Sequence, residues 1–236
     1  MKLSVIIPAY NESAVIATTA RAVVAYLQKM YPSDHELIIV DDGSTDETAL
    51  IVRERLALDA RLISHEVNQG KGAAVRTGML ASQGEFMLFM DADSSTDINH
   101  LEGFMAAIDG ADIIIGSRKI AKAEVVVAQN WFKRTLGRLG NSLIQIVLLP
   151  GIKDTQCGFK LFRSKCRDVF KQQQRFDFAF DFEILYLALQ QGMIIKELPV
   201  RWINNFDTRV KPWSYVTTLI ALFSVKYHYW KGDYNL

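Results

Sequence analysis

Two carboxylates, Asp91 and Asp93, stand one residue apart directly after an apolar run at 86–90. Carboxylates at a strand end can converge on one divalent cation, and Mg²⁺ or Mn²⁺ takes oxygen ligands, often one or two carboxylates together with substrate phosphates. A metal held there would neutralise the charge on a departing diphosphate. The alternative interpretation is a turn rich in Asp and Ser with no ligand, and the pair alone does not decide between the two.

Three other polar motifs follow apolar runs in the front half of the chain. Asp41 and Asp42 precede a Gly-Ser-Thr-Asp turn, and carboxylates there can accept hydrogen bonds from a base or a ribose, although helix capping explains the turn itself. Pro-Ala-Tyr-Asn-Glu at 8–12 could hold a nucleobase edge, but capping by Asn11 is the simpler interpretation. Asn-Gln-Gly-Lys-Gly at 68–72 lacks the Walker and G-x-G-x-x-G patterns, which excludes a P-loop ATPase and Rossmann dinucleotide binding.

The elements that must position these motifs alternate between strand and helix. Short apolar runs predict strands at 3–9, 36–40, 61–65, 85–90 and 112–115. Segments with a helical period predict helices after Asn11 and at 45–58, 71–81 and 97–109. This alternation indicates a mostly parallel α/β sheet, which binds ligands at the carboxyl ends of its strands. The back half is less regular, with helices predicted at 125–150 and 180–190 and a strand at 193–201.

Length and composition fit one globular domain with a C-terminal appendage. The chain has 236 residues and a net charge of +1, which does not favour nucleic acid or another polyanion as a general partner. Residues 1–110 carry a net charge of −8 and residues 111–236 carry +9. That asymmetry suits a metal site followed by a phosphate or anionic-surface site, although an uneven surface charge with no role is the alternative.

The sequence predicts a cytoplasmic setting. Two cysteines make no disulfide framework or zinc spacing, and no signal peptide is visible. No apolar run reaches the roughly 18 residues that span a bilayer. The segment at 213–230 is rich in aromatic residues with lysines close by, which indicates either a buried terminal helix or a helix lying in a membrane interface.

Taken together and in this order, the four motifs resemble family 2 glycosyltransferases with the nucleotide-sugar-binding fold (GT-A, Rossmann-like). The resemblance covers residues 2–118. It continues in Asp-Thr-Gln-Cys-Gly-Phe-Lys at 154–160 and Phe-Asp-Phe-Glu at 180–183, which look like the polyprenyl-phosphate branch that includes the dolichyl-phosphate β-glucosyltransferases. It implies a GT-A domain over 1–212, divided into a nucleotide-sugar half at 1–118 and an acceptor half at 119–212, with a C-terminal interfacial helix at 213–236.

The resemblance also implies roles for individual residues. The nucleotide pocket would be lined by Pro8, Tyr10, Glu12, Asp41, Asp42 and Lys71. The metal, Mg²⁺ or Mn²⁺, and the diphosphate would be held by Asp91, Ala92 and Asp93. The catalytic groups near the sugar and acceptor would be Arg118, Asp154, Gln156, Asp181 and Glu183. The acceptor phosphate would meet cations among Arg118, Arg134, Arg138, Arg209 and Lys211, where Arg134 and Arg138 could instead form a solvated helix face.

Two departures from the family pattern matter. Related mannosyltransferases often place a glutamine two positions after the second metal aspartate, and here that position is Ser95, which puts a third metal ligand in doubt and favours UDP-glucose over GDP-mannose. Glucosyltransferase relatives tend to have an acidic-Gly-Ser-Lys stretch after the last strand, and the chain has only a loose match at 204–211.

The predicted reaction is an inverting transfer of glucose from UDP-glucose to a polyprenyl phosphate, dolichyl or undecaprenyl, at the cytoplasmic face of a membrane. A phosphate with a second pKa of about 6 is mostly a dianion near pH 7 and needs no strong general base. A sugar hydroxyl would need one, and Asp154, Asp181 or Glu183 would then have to serve. A GDP-mannose lipid transferase, a family 2 transferase with a soluble glycan acceptor, and an inactive sugar-nucleotide-binding protein stay open as alternatives, as does homo-oligomerisation.

Overall fold

The computed structural model describes residues 1–125, 140, 142–203 and 213–235, with side chains from residue 217 onward in the last segment. The central sheet is built from β1 (Leu3–Ala9), β2 (His35–Asp41), β3 (Arg61–Ser64), β4 (Phe86–Met90), β5 (Ile113–Ser117), β7 (Phe159–Arg163) and β8 (Ile195–Pro199). A second, two-stranded sheet pairs β6 (Glu124–Val125) with β9 (Arg201–Trp202). The central order is β3-β2-β1-β4-β7-β5-β8, in which β7 runs antiparallel to both neighbours and the other pairs are parallel. The predicted mostly parallel α/β sheet is therefore confirmed.

Helices cover both faces of the central sheet. They are α1 (Ile16–Met30), α2 (Thr48–Arg55), α3 (Lys71–Ala81), α4 (His100–Ala107), α5 (Arg167–Gln172), α6 (Phe180–Gln190) and α7 (Trp213–Lys231), with a further helical stretch at 142–147. Successive strand residues point to opposite faces, so Leu3, Val5 and Ile7 pack with α1, α2 and α4, whereas Ile6 packs with α3, α5, α6 and α7. Each fully buried aliphatic side chain stabilises the fold by about 1.5–3 kcal/mol, so this two-sided core holds the strand ends firmly.

Three front-half helices, α1, α2 and α4, start later than predicted. The first two do so because the loops before them make other contacts. The side chain of Asn11 accepts the backbone N–H groups of Thr45 and Asp46 at 2.8 and 3.3 Å, so it caps the turn before α2 and not α1. Thr48, the first residue of α2, accepts the backbone N–H of Glu12 at 2.8 Å. The loops after β1 and β2 are thereby tied together. The predicted helices at 71–81 and 180–190 match α3 and α6.

The strand β7 was not predicted, and it decides where the back half meets the front half. β1, β2, β4 and β5 are parallel and end at one edge of the sheet, while the antiparallel β7 starts at that edge, with Phe159 opposite Met90. The loop at 154–158 therefore lies beside the first residues after β4. This edge gathers residues from both halves of the chain.

Candidate active site

Asp91 follows β4 directly and lies against the backbone of Gly158. The N–H of Asp91 donates to the carbonyl of Gly158 at 3.0 Å. A Cβ added to Gly158 would lie 1.9 Å from Oδ2 of Asp91, so only glycine leaves room for this carboxylate. The side chain of Asp91 is 31% exposed. Gly158 and the end of β4 thus hold one carboxylate at the sheet edge, with part of its surface open to a ligand.

Lys71, the first residue of α3, places its ammonium beside that carboxylate. Its Nζ lies 2.7 Å from Oδ1 of Asp91, 5.4 Å from the ring centre of Phe89 and 5.9 Å from that of Phe178. Burial alone would lower the pKa of Lys71, but the carboxylates of Asp91, Asp181 and Asp93 outweigh it and raise the pKa. Lys71 is therefore a charged cation within the acidic cluster at neutral pH.

Asp181 lies deeper, beside Lys160, which the sequence prediction did not include. The Nζ of Lys160 contacts Oδ1 of Asp181 and donates to the carbonyl of Cys157 at 2.7 Å. Both side chains are buried, which raises the pKa of Asp181 even though Lys160 and Lys71 oppose the rise. A lysine within an apolar run needs a buried partner, which is the one signal that could have indicated this pair from the sequence.

Arg118, which follows β5, is held by Asp154 through a bidentate ion pair. Its Nε and Nη2 donate to the two carboxylate oxygens at 2.8 and 2.9 Å, and its backbone N–H donates to the same group at 2.9 Å. The guanidinium also lies 5.2 Å from the ring centre of Trp202, and Lys119 reaches within 3.7 Å of the carboxylate. Asp154 is fully buried. This geometry makes Asp154 the residue that orients Arg118.

The Arg118–Asp154 pair makes a testable contribution to acid stability. Burial alone would raise the pKa of Asp154, but the hydrogen bonds and charge of Arg118 outweigh it and lower the pKa to about 2. Because this lies below the ordinary value of about 3.9, the pair stabilises the fold above that value by an amount on the order of 2 kcal/mol, and the contribution is lost as the pH falls. We expect Asp154→Asn to be less stable than wild type at pH 7, with the difference narrowing between about pH 5 and 3.

Urea unfolding of both proteins across that pH range measures the difference directly. A gap in unfolding free energy that stays constant, or widens as the pH falls, would contradict the assignment.

Asp42 is engaged by the loop at 68–70. Its carboxylate accepts from the side chain of Asn68 at 3.0 Å and from the N–H groups of Gln69 and Gly70 at 3.0 and 2.8 Å, and Nδ1 of His65 lies 2.7 Å away. A carboxylate has about four lone-pair positions, so these four contacts largely satisfy its capacity to accept hydrogen bonds. The structure therefore shows Asp42 fixing the loop that precedes Lys71, and His65 is a partner that no local motif indicated.

The remaining predicted donor residues lie at the same edge. Pro8 is buried within β1, and Tyr10 and Glu12 follow it half-buried. Asp41 ends β2, is buried and accepts the N–H of Ser44 at 3.3 Å. Asp93 is half-buried and accepts the N–H of Ser95 at 2.9 Å, and the carbonyl of the intervening, buried Ala92 accepts the hydroxyl of Thr19 at 2.7 Å.

The other residues predicted on the acceptor side differ in position. Gln156 is exposed on the loop at 154–158, the loop that lies beside Asp91. Glu183 is fully buried and faces away from Asp181, since residues two apart on a helix point to different sides. The predicted phosphate-binding residues Arg134, Arg138, Arg209 and Lys211 lie outside the described residues.

The donor atoms at the edge fit a hard divalent cation. Within the described parts of the chain, no group of three or more His, Cys, Asp or Glu side chains is arranged to hold a metal. The candidate is the pair Asp91 and Asp93, two partly exposed carboxylates that would share a cation with substrate phosphates and water. Ser95, which stands where related enzymes often have a glutamine, is buried, so this position does not offer an exposed third ligand beside the pair.

Comparison with known proteins defines the class. The family model "Glycosyl transferase family 2" matches residues 4–170. The chain belongs to this family of glycosyltransferases. It is 37% identical over 227 residues to the dolichyl-phosphate β-glucosyltransferase of Dictyostelium discoideum, covering 90% of this chain and 69% of that protein. It is 31% identical to the Homo sapiens enzyme of the same name, covering 100% of this chain and 78% of that one.

The fold agrees with solved structures. Glucosyl-3-phosphoglycerate synthase from Mycobacterium tuberculosis, in complex with Mn²⁺, UDP-glucose and phosphoglyceric acid, superposes with a TM-score of 0.65 at 17% identity, covering 95% of this chain and 79% of that one. The chain therefore has the GT-A fold with a C-terminal helix, as predicted. The division into domains and the roles of single residues stay predictions.

Proposed function

We propose that the protein transfers glucose from UDP-glucose to a polyprenyl phosphate with inversion at the anomeric carbon. The names of its relatives support the donor sugar and the acceptor. The observation that carries the proposal is the state of three carboxylates that could act as a base. Asp154 is locked to Arg118, Asp181 is buried against Lys160, and Glu183 is fully buried.

An acceptor hydroxyl would need one of these groups to remove its proton. An acceptor phosphate would not, because its second pKa of about 6 already makes it a dianion near pH 7. One of its oxygens would bond to the anomeric carbon as the bond from that carbon to the UDP oxygen breaks, and the electron pair would leave with UDP. The engaged carboxylates therefore favour a phosphate acceptor over a glycan hydroxyl.

The cations at the edge supply what such a reaction needs, because two phosphates must approach each other closely. A divalent cation held by Asp91 and Asp93 would neutralise the departing diphosphate. Lys71 would contact the diphosphate from the α3 side, since its ammonium lies beside Asp91. Arg118 would face the acceptor phosphate with Nη1, the guanidinium nitrogen that the two-pronged bond to Asp154 does not use.

The pH dependence of glucose transfer tests the acceptor. With Mn²⁺ and UDP-glucose, the rate on the acid side should follow the second ionisation of the acceptor, so a phosphonate analogue with a different second pKa should shift that limb by the same amount. An acid limb that stays in place with both acceptors would indicate an enzyme base. Efficient transfer to a glycan hydroxyl would overturn the proposal.

A thermal-shift titration tests the donor. A ligand that binds only the folded chain stabilises it by mass action, so UDP-glucose with Mn²⁺ should raise Tm more than GDP-mannose or a dTDP-sugar does. A larger shift with GDP-mannose would replace glucose by mannose in the proposal.

The C-terminal helix α7 is suited to contact the membrane that carries the acceptor. Its apolar residues at helical spacing, Ile220, Phe223, Tyr227 and Trp230, are 55–83% exposed, while its opposite side is buried in the core. Lys226 and Lys231 accompany them, and charges of this sign favour anionic lipid. In the described residues no helix has both the length and the apolar character to cross a bilayer. From the exposed apolar residues and the lysines of α7 we propose peripheral binding, at the cytoplasmic face.

Replacing Ile220, Phe223 and Trp230 by serine is expected to weaken binding to anionic vesicles by at least about tenfold, because each large apolar side chain gains about 1.5–3 kcal/mol on full burial. Co-sedimentation with vesicles measures the change. Leu58→Ser is the matched control, since Leu58 is completely exposed after α2, a helix on the other face of the sheet. Equal binding by the triple variant and the control would remove α7 from the membrane contact.

A further inference from the structure

The last residues of the chain are tied to a loop that contacts the nucleotide-sugar edge. The hydroxyl of Tyr234 donates to Oε1 of Glu183 at 2.8 Å, and both side chains are buried. The side chain of Gln174 donates to the carbonyl of Asp233 at 3.1 Å, and the N–H of Asn235 donates to Oε1 of Gln172 at 3.0 Å. The tail at 232–235 is therefore hydrogen-bonded to the domain, with the Tyr234 side chain buried.

Glu183 connects this tail to the loop at 173–178. Besides Tyr234, its carboxylate accepts the backbone N–H groups of Gln174 and Arg175 at 3.1 and 2.9 Å. Burial raises the pKa of Glu183, although these donors oppose the rise. A fully buried carboxylate with three such donors fixes the backbone of the loop. Loss of one donor would leave the buried Glu183 carboxylate with an unsatisfied oxygen, which is costly in a low-dielectric interior.

The loop in turn holds the backbone on both sides of Lys71. The carbonyl of Phe176 accepts the N–H of Gly72 at 2.8 Å, and the side chain of Gln173 donates to the carbonyl of Gly72 at 2.9 Å. A Cβ added at Gly70 would lie 2.4 Å from the oxygen of Phe176, so the two segments are in direct backbone contact. Residues 70–72 cannot shift without the loop.

We propose that Tyr234 and Glu183 are positioning residues that hold Lys71 against Asp91 through the 173–178 loop. The C-terminal tail would then be part of the donor site, and it would link α7 to the cation beside the diphosphate. The contact of Lys71 with the diphosphate rests on the proposed function, but the nucleotide-binding test below does not depend on the acceptor.

A double-mutant cycle on UDP binding separates positioning from general stability. Tyr234→Phe removes only the hydroxyl and is expected to weaken UDP affinity in the presence of Mn²⁺ by about tenfold, as for a lost hydrogen bond to a charged group. In a Lys71→Met background the same change should cost less than about twofold, because the residue through which it acts is gone. Isothermal titration calorimetry gives all four affinities.

The matched control is Tyr26→Phe, which removes a buried hydroxyl that has no hydrogen-bond partner among the described residues and lies with α1 on the other face. It should leave UDP affinity unchanged. Equal losses from Tyr234→Phe in both backgrounds, or no loss in either, would overturn the inference. If Tyr234→Phe fails to fold, Gln174→Ala provides the same cycle by removing the contact with Asp233.

The positioning role and the proposed function can fail separately. If Tyr234 and Lys71 are coupled in UDP binding but no glucose is transferred to a polyprenyl phosphate, the positioning role stands and the acceptor assignment is wrong. If glucose is transferred but Tyr234 and Lys71 show no coupling, the acceptor assignment stands and the positioning role is wrong.

Discussion

Changing Asp91 and Asp93 together to asparagine is expected to lower kcat/KM for sugar transfer on the order of 10³-fold or more. The double change removes both anionic ligands of the candidate cation, whose stabilisation of transition-state charge is worth several kcal/mol, and each 1.36 kcal/mol is tenfold in rate. It also deprives Lys71 of its partner at 2.7 Å. Initial rates over a Mn²⁺ titration, together with UDP affinity with and without Mn²⁺, measure the effect.

Asp109→Asn is the control, because Asp109 is 98% exposed and lies in the loop before β5, away from the carboxyl ends of the strands where the site lies. It should behave as wild type in both assays. If the double variant keeps its Mn²⁺-dependent UDP affinity, the cation is bound by other residues.

Gly158→Ala is expected to reduce kcat at least about 10²-fold, since a displacement of about 1 Å in a reacting group can cost that much. The added methyl carbon would lie 1.9 Å from Oδ2 and 2.2 Å from Cγ of Asp91, so this carboxylate must leave its position. Activity should suffer more than stability, because the atoms that must give way belong to a partly exposed side chain. Steady-state kinetics and thermal unfolding, measured on the same preparation, compare the two losses.

Gly103→Ala isolates the geometric effect. Gly103 is on α4, and a Cβ there would meet open space among the described residues. Alanine should leave kcat unchanged and stabilise the helix by about 0.5–1 kcal/mol. A Gly158→Ala variant as active as Gly103→Ala would show that the Asp91 carboxylate need not stay in its position against Gly158.

The front half of the fold was predictable because its signals are local. Apolar runs and helical periods located β1 to β5 and α1 to α4, and the parallel order then placed Asp41, Asp42 and Asp91 at one edge. Arg118 was implied by the family resemblance. Strand β7 escaped because Lys160 and Arg163 interrupt its apolar pattern. Their charges are satisfied by distant partners, Asp181 for Lys160 and the carbonyl of Ala111 for Arg163 at 3.0 Å. Those partners lie 21 or more positions away along the chain, beyond the short segments from which a strand is predicted.

The sequence could propose residues for the candidate site, but it could not show which partners engage them. The resemblance to family 2 glycosyltransferases implied that Asp154, Asp181 and Glu183 lie near the acceptor, where one of them would have to serve a hydroxyl acceptor as a base. Whether an acid is available for proton transfer depends on its donors. The side-chain donors include Arg118, Lys160 and Tyr234, each at least 21 positions away along the chain from the acid that it contacts. Only the folded arrangement shows that all three are engaged.

The position of β7 between β4 and β5 also bears on how the chain folds during synthesis. The β3-β2-β1-β4 half can form as soon as residue 90 has emerged, but β5 has no direct neighbour in that half and must wait until residue 163 is available. Closing so long a loop slows folding, and it leaves two strand edges unpaired in the meantime. A nascent or truncated chain that stops between residues 117 and 159 should therefore depend on chaperones to avoid aggregation, whereas the complete sheet has no such gap.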